Sequence, residues 1–120
     1  MTEQYVGTKI VTAWQQEKDG EAGYAVKYSD GYTSWCPKKQ FEESNVLIGH
    51  VAHLPIHQQR VMAEKAQLND RLGKLNVFCA GSIFQSLPQD ERKRLEAQAL
   101  AMTEYSLILL DRVQAFGGDQ

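Results

Sequence analysis

GYAVKYSDGYTSWCPKKQF, residues 23–41, sets apolar side chains at alternate positions on both sides of an Asp30-Gly31 pair. An Asp-Gly pair between two such runs predicts a two-residue type I′ hairpin, because that turn needs positive φ at both central positions. This register puts Tyr28 opposite Thr33 and Val26 opposite Trp35, giving the hairpin one apolar face. Pro37 ends the second strand because it has no N–H for the ladder. Lys38 to Ser44 then predicts one or two helical turns with Phe41 turned inward.

Upstream, YVGTKIVTAW (residues 5–14) predicts a third strand with Val6, Thr8 and Ile10 on one face. The adjacent Ile10 and Val11 break that period, as at a bulge or in a strand buried on both sides. QQEKDGEAG (residues 15–23) is polar and glycine-bearing and predicts a loop. Downstream, NVLIGHVAHLP (residues 45–55) fits either a short edge strand over Val46 to Ile48 or a packed connector.

From Ile56 the period changes. Val61, Leu68, Leu72, Leu75 and Cys79 mark one helical stripe, interrupted by Lys65. AGSIFQSLPQDE (residues 80–91) is a break, in which Ser86 is the expected N-cap, Pro88 falls in the first turn, and Asp90 and Glu91 suit the positive helix end. Leu95, Ala99, Met102, Leu109, Val113 and Phe116 then share a face, and Gly117-Gly118 ends the helix. Residues 57–79 would span about 35 Å and residues 88–116 about 44 Å as helices. Their short link predicts an antiparallel helical hairpin.

The expected fold is therefore α+β. An N-terminal three-stranded antiparallel sheet module with a short helix and connector (residues 1–55) joins a long antiparallel helical hairpin (residues 56–120) in one compact unit. Two such helices with a small sheet leave much apolar surface uncovered, so packing between subunits, in a homodimer or a larger assembly, is expected.

With 120 residues, 13 basic and 15 acidic, the chain has a formal charge of −2. That balance argues against a protein coating long nucleic acid, yet leaves room for a locally basic pocket. No segment reaches the ~20 apolar residues of a membrane span. MTEQYVGTK lacks the hydrophobic run of a signal peptide. Cys36 and Cys79 are far apart and without metal-site spacing, as thiols of a reducing compartment would be.

Little in the sequence supports catalysis. His50, His53 and His57 have spacings that suggest zinc, but no neighbouring cysteine or carboxylate completes a set, and Pro55 interrupts any helix through all three. Neither cysteine has a sequence-adjacent His–acid pair, and no glycine motif for phosphate is present. No metal, cofactor or catalytic residue is expected. The arginines carry more. Arg60 adjoins the stripe at the start of the first long helix, and Arg112 lies beside Leu109 and Phe116 near the end of the second. An antiparallel hairpin brings those two ends together. Two readings then stand: paired guanidiniums holding phosphate, or apolar stems covering the core with charges reaching water. Phe84 in the break either plugs the hairpin end or stacks on a base. Arg92, Lys93 and Arg94 form a basic cluster that reads first as a solvated helix face and second as a weak nucleic-acid contact.

YVGTKIV with GYAVKYSDGYTSWCPKKQFE resembles a module at the N-terminus of many small bacteriophage proteins, whose usual form has serine at the position of Cys36. HQQRVMAEKAQLNDRLGKLNVF, the break containing IFQSL, and ERKRLEAQALAMTEYSLILLDRV resemble the first-described family of phage Thoeris anti-defence proteins. This resemblance implies a non-enzymatic sponge that binds a cyclic ADP-ribose isomer immune signal without cleaving it, in the host cytoplasm. Some relatives also bind cyclic di- or trinucleotides, and assemble as dimers or as hexamers built as trimers of dimers. The family pocket lies at a subunit interface. Carried onto this chain, its arginines are Arg60 of HQQRV and Arg112 of LLDRV, clamping phosphates. Its aromatic is Phe84, ahead of Phe78, stacking on adenine. Tyr105, from its place on the helix face, would support them. The alternative function is a phage adaptor binding a host or virion protein through the helical hairpin.

Overall fold

The structure, a computed structural model, describes residues 1–117. The chain divides into two compact units, Met1–Asn45 and the residues from Val46 onward.

The first unit is a three-stranded antiparallel sheet in the order β1-β2-β3, with β1 at Thr12–Gln15, β2 at Gly23–Lys27 and β3 at Thr33–Pro37. A helix, α1 (Lys38–Ser44), follows β3 directly. The two Asp-Gly pairs exchange the roles that composition suggests. Asp19 and Gly20 both have positive φ, 52° and 81°, and lie between Lys18 and Glu21, whose backbones exchange two hydrogen bonds of 2.9 Å. That is the two-residue turn, and it lies within the stretch expected to be irregular. Between β2 and β3 only Gly31 has positive φ, 91°. There the Gly31 N–H donates to the Tyr28 carbonyl, and the Tyr32 N–H donates to Asp30 Oδ1, both at 2.9 Å. The loop is therefore three residues, Ser29 to Gly31, with glycine in the left-handed position.

The longer loop corrects the expected register by one residue. Lys27, not Tyr28, faces Thr33, and Ala25, not Val26, faces Trp35. A one-residue slip changes which side chains share a face. Ala25 and Val26 are both buried, one on each face of β2. Trp35 donates its indole N–H to the Gln16 carbonyl at 2.7 Å. Its ring lies so close over Gly23 that any Cβ there would sit 2.3 Å from Trp35 Cζ2. Phe41 turns inward as expected and stacks on Tyr24 at 4.3 Å between centroids. The Tyr24 hydroxyl donates to Glu42 at 2.7 Å, and that bond holds the phenol above its ordinary pKa.

β1 is shorter than the expected strand over residues 5–14. Thr12 pairs with Lys27, the last residue of β2, so residues before Thr12 run past the end of their partner and have no ladder to join. Tyr5 and Val6 are exposed in consequence.

The second unit begins with an irregular segment in which Val51 is buried. It continues as α2 (Ile56–Cys79), the short α3 (Ser82–Ser86), α4 (Gln89–Gln114) and a closing 3-10 turn, Ala115–Gly117. Gly118, expected to end the last helix with Gly117, lies outside the described residues. α2 and α4 form the predicted hairpin around Val61, Leu68 and Leu109, flanked by Met102, Val113 and Phe116. Leu109 is fully buried, and enclosing such a side chain contributes about 1.5–3 kcal/mol. Ser86 is not the cap of α4. It ends α3 and donates its hydroxyl to the Ile83 carbonyl, while Pro88 occupies the N-cap position. The extra helical turn in the break uses up the serine before α4 begins. Asp90 and Glu91 do lie in the first turn of α4, where the helix dipole favours them.

Candidate ligand-binding site

A hydrogen bond between the two long helices marks the axial register of the hairpin. The Ser106 hydroxyl on α4 donates to Asn69 Oδ1 on α2. Arg60 lies nine residues before Asn69 and Arg112 six residues after Ser106. Because the helices run in opposite directions, both arginines fall on the same side of this contact. At 1.5 Å per residue, their levels differ by about 4.5 Å along the hairpin. Both are exposed, and among the described residues neither belongs to an ion pair. Tyr105 precedes Arg112 by seven residues, two helical turns on the same face of α4, and is 41% exposed.

The aromatic component is elsewhere. Phe84 on α3 meets Phe78 edge-on, with centroids 6.4 Å apart. Phe78 lies nine residues after Asn69, so this pair is about 27 Å from the level of Arg60. Within one copy, the arginines and the aromatic pair occupy opposite ends of the hairpin. Phe84 is 5% exposed and Phe78 38%. The ring the sequence favoured for stacking is thus packed inward, and its neighbour offers the open area. The helical spacing does not reveal this difference, because the orientation of α3 decides it.

Among the described residues, no group of three or more His, Cys, Asp or Glu could hold a metal ion. No described helix is long and apolar enough to cross a membrane. A shallow groove in the sheet unit, lined by residues including Gln15, Glu17, Tyr24 and Lys38, contains none of the predicted site residues.

The model of the Sequestin family matches residues 55–115, which span the connector end, α2, α3 and all of α4. The chain belongs to the Sequestin family. It is a phage anti-defence protein of the Thoeris type, and its activity is sequestration: it binds a cyclic ADP-ribose-type signal and holds it uncleaved. A sequestering protein is not an enzyme, and its work is done by affinity alone. The match covers Arg60, Phe78, Phe84, Tyr105 and Arg112, and leaves the sheet unit outside it. No curated protein and no solved structure matches the chain.

Proposed function

We propose that this Sequestin-family chain captures a cyclic ADP-ribose isomer between two copies of itself in the host cytoplasm. Arg60 and Arg112 of one copy hold the phosphates. The Phe78–Phe84 pair of the other copy supplies the aromatic wall for adenine, and Tyr105 lines the approach to Arg112. The observation that carries this reading is the axial register: two level, exposed and unpaired arginines stand about 27 Å from the aromatic pair. A second hairpin lying antiparallel to the first brings its aromatic end to the arginine end of its neighbour, twice over by two-fold symmetry. α4 has surface for such a contact. Leu100, Leu107 and Ile108, away from buried Leu109, are 60–64% exposed.

The chemistry fits capture without turnover. Guanidinium forks replace the water lost by phosphates, and an enclosed interface slows release. A homodimer is the smallest assembly that satisfies this geometry. A hexamer built as a trimer of dimers preserves the same contact, with cyclic di- or trinucleotides as further ligands. The exposed face of α4 also suits the adaptor reading, in which a host or virion protein covers it.

Titration calorimetry against a panel of cyclic ADP-ribose isomers and cyclic oligonucleotides tests the proposal. The expected result is tight binding of one isomer, recovered intact after denaturation. R60A and R112A are expected to keep fold and assembly while losing about 10–100-fold or more in affinity, as charge-assisted contacts to phosphate require. Wild-type affinity in both variants would reject the arginine assignment, and recovery of a cleaved product would reject sequestration.

A further inference from the structure

The corner between α3 and α4 holds a second planar group besides the aromatic pair. The Leu87 N–H donates to the Phe84 carbonyl at 3.1 Å, and the Arg92 N–H donates to the Pro88 carbonyl at 3.0 Å. Two consecutive backbone bonds therefore set the main chain of Phe84 and of Arg92 on either side of the Leu87-Pro88 turn, at the same end of the hairpin. Arg92 is half-buried, and its Nε is enclosed without any hydrogen-bond acceptor among the described residues. The nearby acids do not compensate it. Glu91 Oε1 accepts from Arg94 Nε at 2.8 Å, and among the described residues neither Asp90 nor Glu96 forms an ion pair with Arg92. A buried donor of this kind without a partner is rare, and a guanidinium left unpaired suits an incoming anion.

We propose that Arg92 is a further phosphate-binding residue of the sequestration site, reaching the ligand from the aromatic side. The inference rests on the two-copy site proposed above. A nucleotide base and its 5′-phosphate are separated by one ribose, so a base on the Phe78–Phe84 pair carries its phosphate toward the turn that bears Arg92. The ligand has two linked phosphates. Arg60 and Arg112 approach them from one copy and Arg92 from the other, so cationic charge closes on the pyrophosphate from both sides. Lys93 and Arg94 do not take this role. Neither has an enclosed donor left without an acceptor, and Arg94 Nε already donates to Glu91.

The test uses the full-length protein and the cyclic ADP-ribose isomer bound by wild type. R92M keeps an apolar stem without charge, and R92K keeps the charge without the fork. R92M is expected to retain helix content and assembly mass, weaken binding about 10–100-fold and flatten the dependence of affinity on salt, with R92K intermediate. Wild-type affinity in R92M, while R60A and R112A lose ligand, overturns the Arg92 assignment alone. Loss of fold or assembly in both Arg92 variants assigns the side chain to packing or to contact with the second copy, and overturns it too. A wild-type protein that binds no isomer overturns the two-copy site and this inference together.

Discussion

At the scale of single residues, Gly23 shows how a small change would propagate through the sheet unit. It is buried, faces Pro37 across the ladder and lies beneath the Trp35 indole. A Cβ would stand 2.5 Å from the Cys36 carbonyl oxygen as well as 2.3 Å from Trp35 Cζ2. One obstacle is backbone and the other a ring pinned by its own hydrogen bond to Gln16, so neither yields easily. G23A is therefore expected to destabilise this unit by about 1–3 kcal/mol, the usual range for overpacking. Hydrogen exchange reads the effect directly: amides of β1, β2 and β3 should lose protection while those of α2 and α4 keep theirs. Unchanged protection in the strands would show that Trp35 can move aside.

At the scale of elements, the sequence is most legible where periodicity is long. The 3.6-residue stripes of α2 and α4 predict both helices and the residues between them, because each stripe has many positions and one partner. The hairpin turns are less legible. Asp19-Gly20 and Asp30-Gly31 are the same dipeptide, and the number of residues each turn closes depends on which strand residues find partners. β1 illustrates a related limit: Val6 and Ile10 have strand character, but β2 is too short to pair with them. α3 is a single turn too short for any period, yet it decides which phenylalanine is open. F78A and F84A separate the consequences. F78A is expected to cost binding without changing the melting temperature much, since Phe78 is 38% exposed. Its loss should correspond to about 1–3 kcal/mol for one stacked base. F84A removes a buried ring and should cost about 3–5 kcal/mol of stability, lowering the denaturant midpoint. If F84A were to lose ligand while keeping wild-type stability, the inward ring would be the stacking surface after all.

At the scale of the whole molecule, the arginines were legible as a pair, because opposite helix directions bring residues 60 and 112 level. Their distance from the aromatic residues follows from the helix length expected over residues 57–79, whereas the choice of open ring, Phe78 over Phe84, does not, since the orientation of α3 decides it. That distance makes complementation between copies the decisive measurement. In a two-fold dimer whose site takes arginine from one copy and the aromatic wall from the other, R112A and F78A each weaken every site when present alone. Mixed dimers differ. One of their sites receives both substitutions, and the other receives intact Arg112 from one copy and intact Phe78 from its partner. Random mixing makes about half the dimers mixed, so about a quarter of all sites should bind with wild-type affinity. Co-expressing the two variants and titrating the purified mixture counts those sites by stoichiometry. A site built within a single copy would gain nothing from mixing, because every chain in the mixture lacks one of its two parts. A recovered fraction near zero, in dimers shown by differential tagging to be mixed, would therefore place the whole pocket on one chain and require the hairpin ends to act separately.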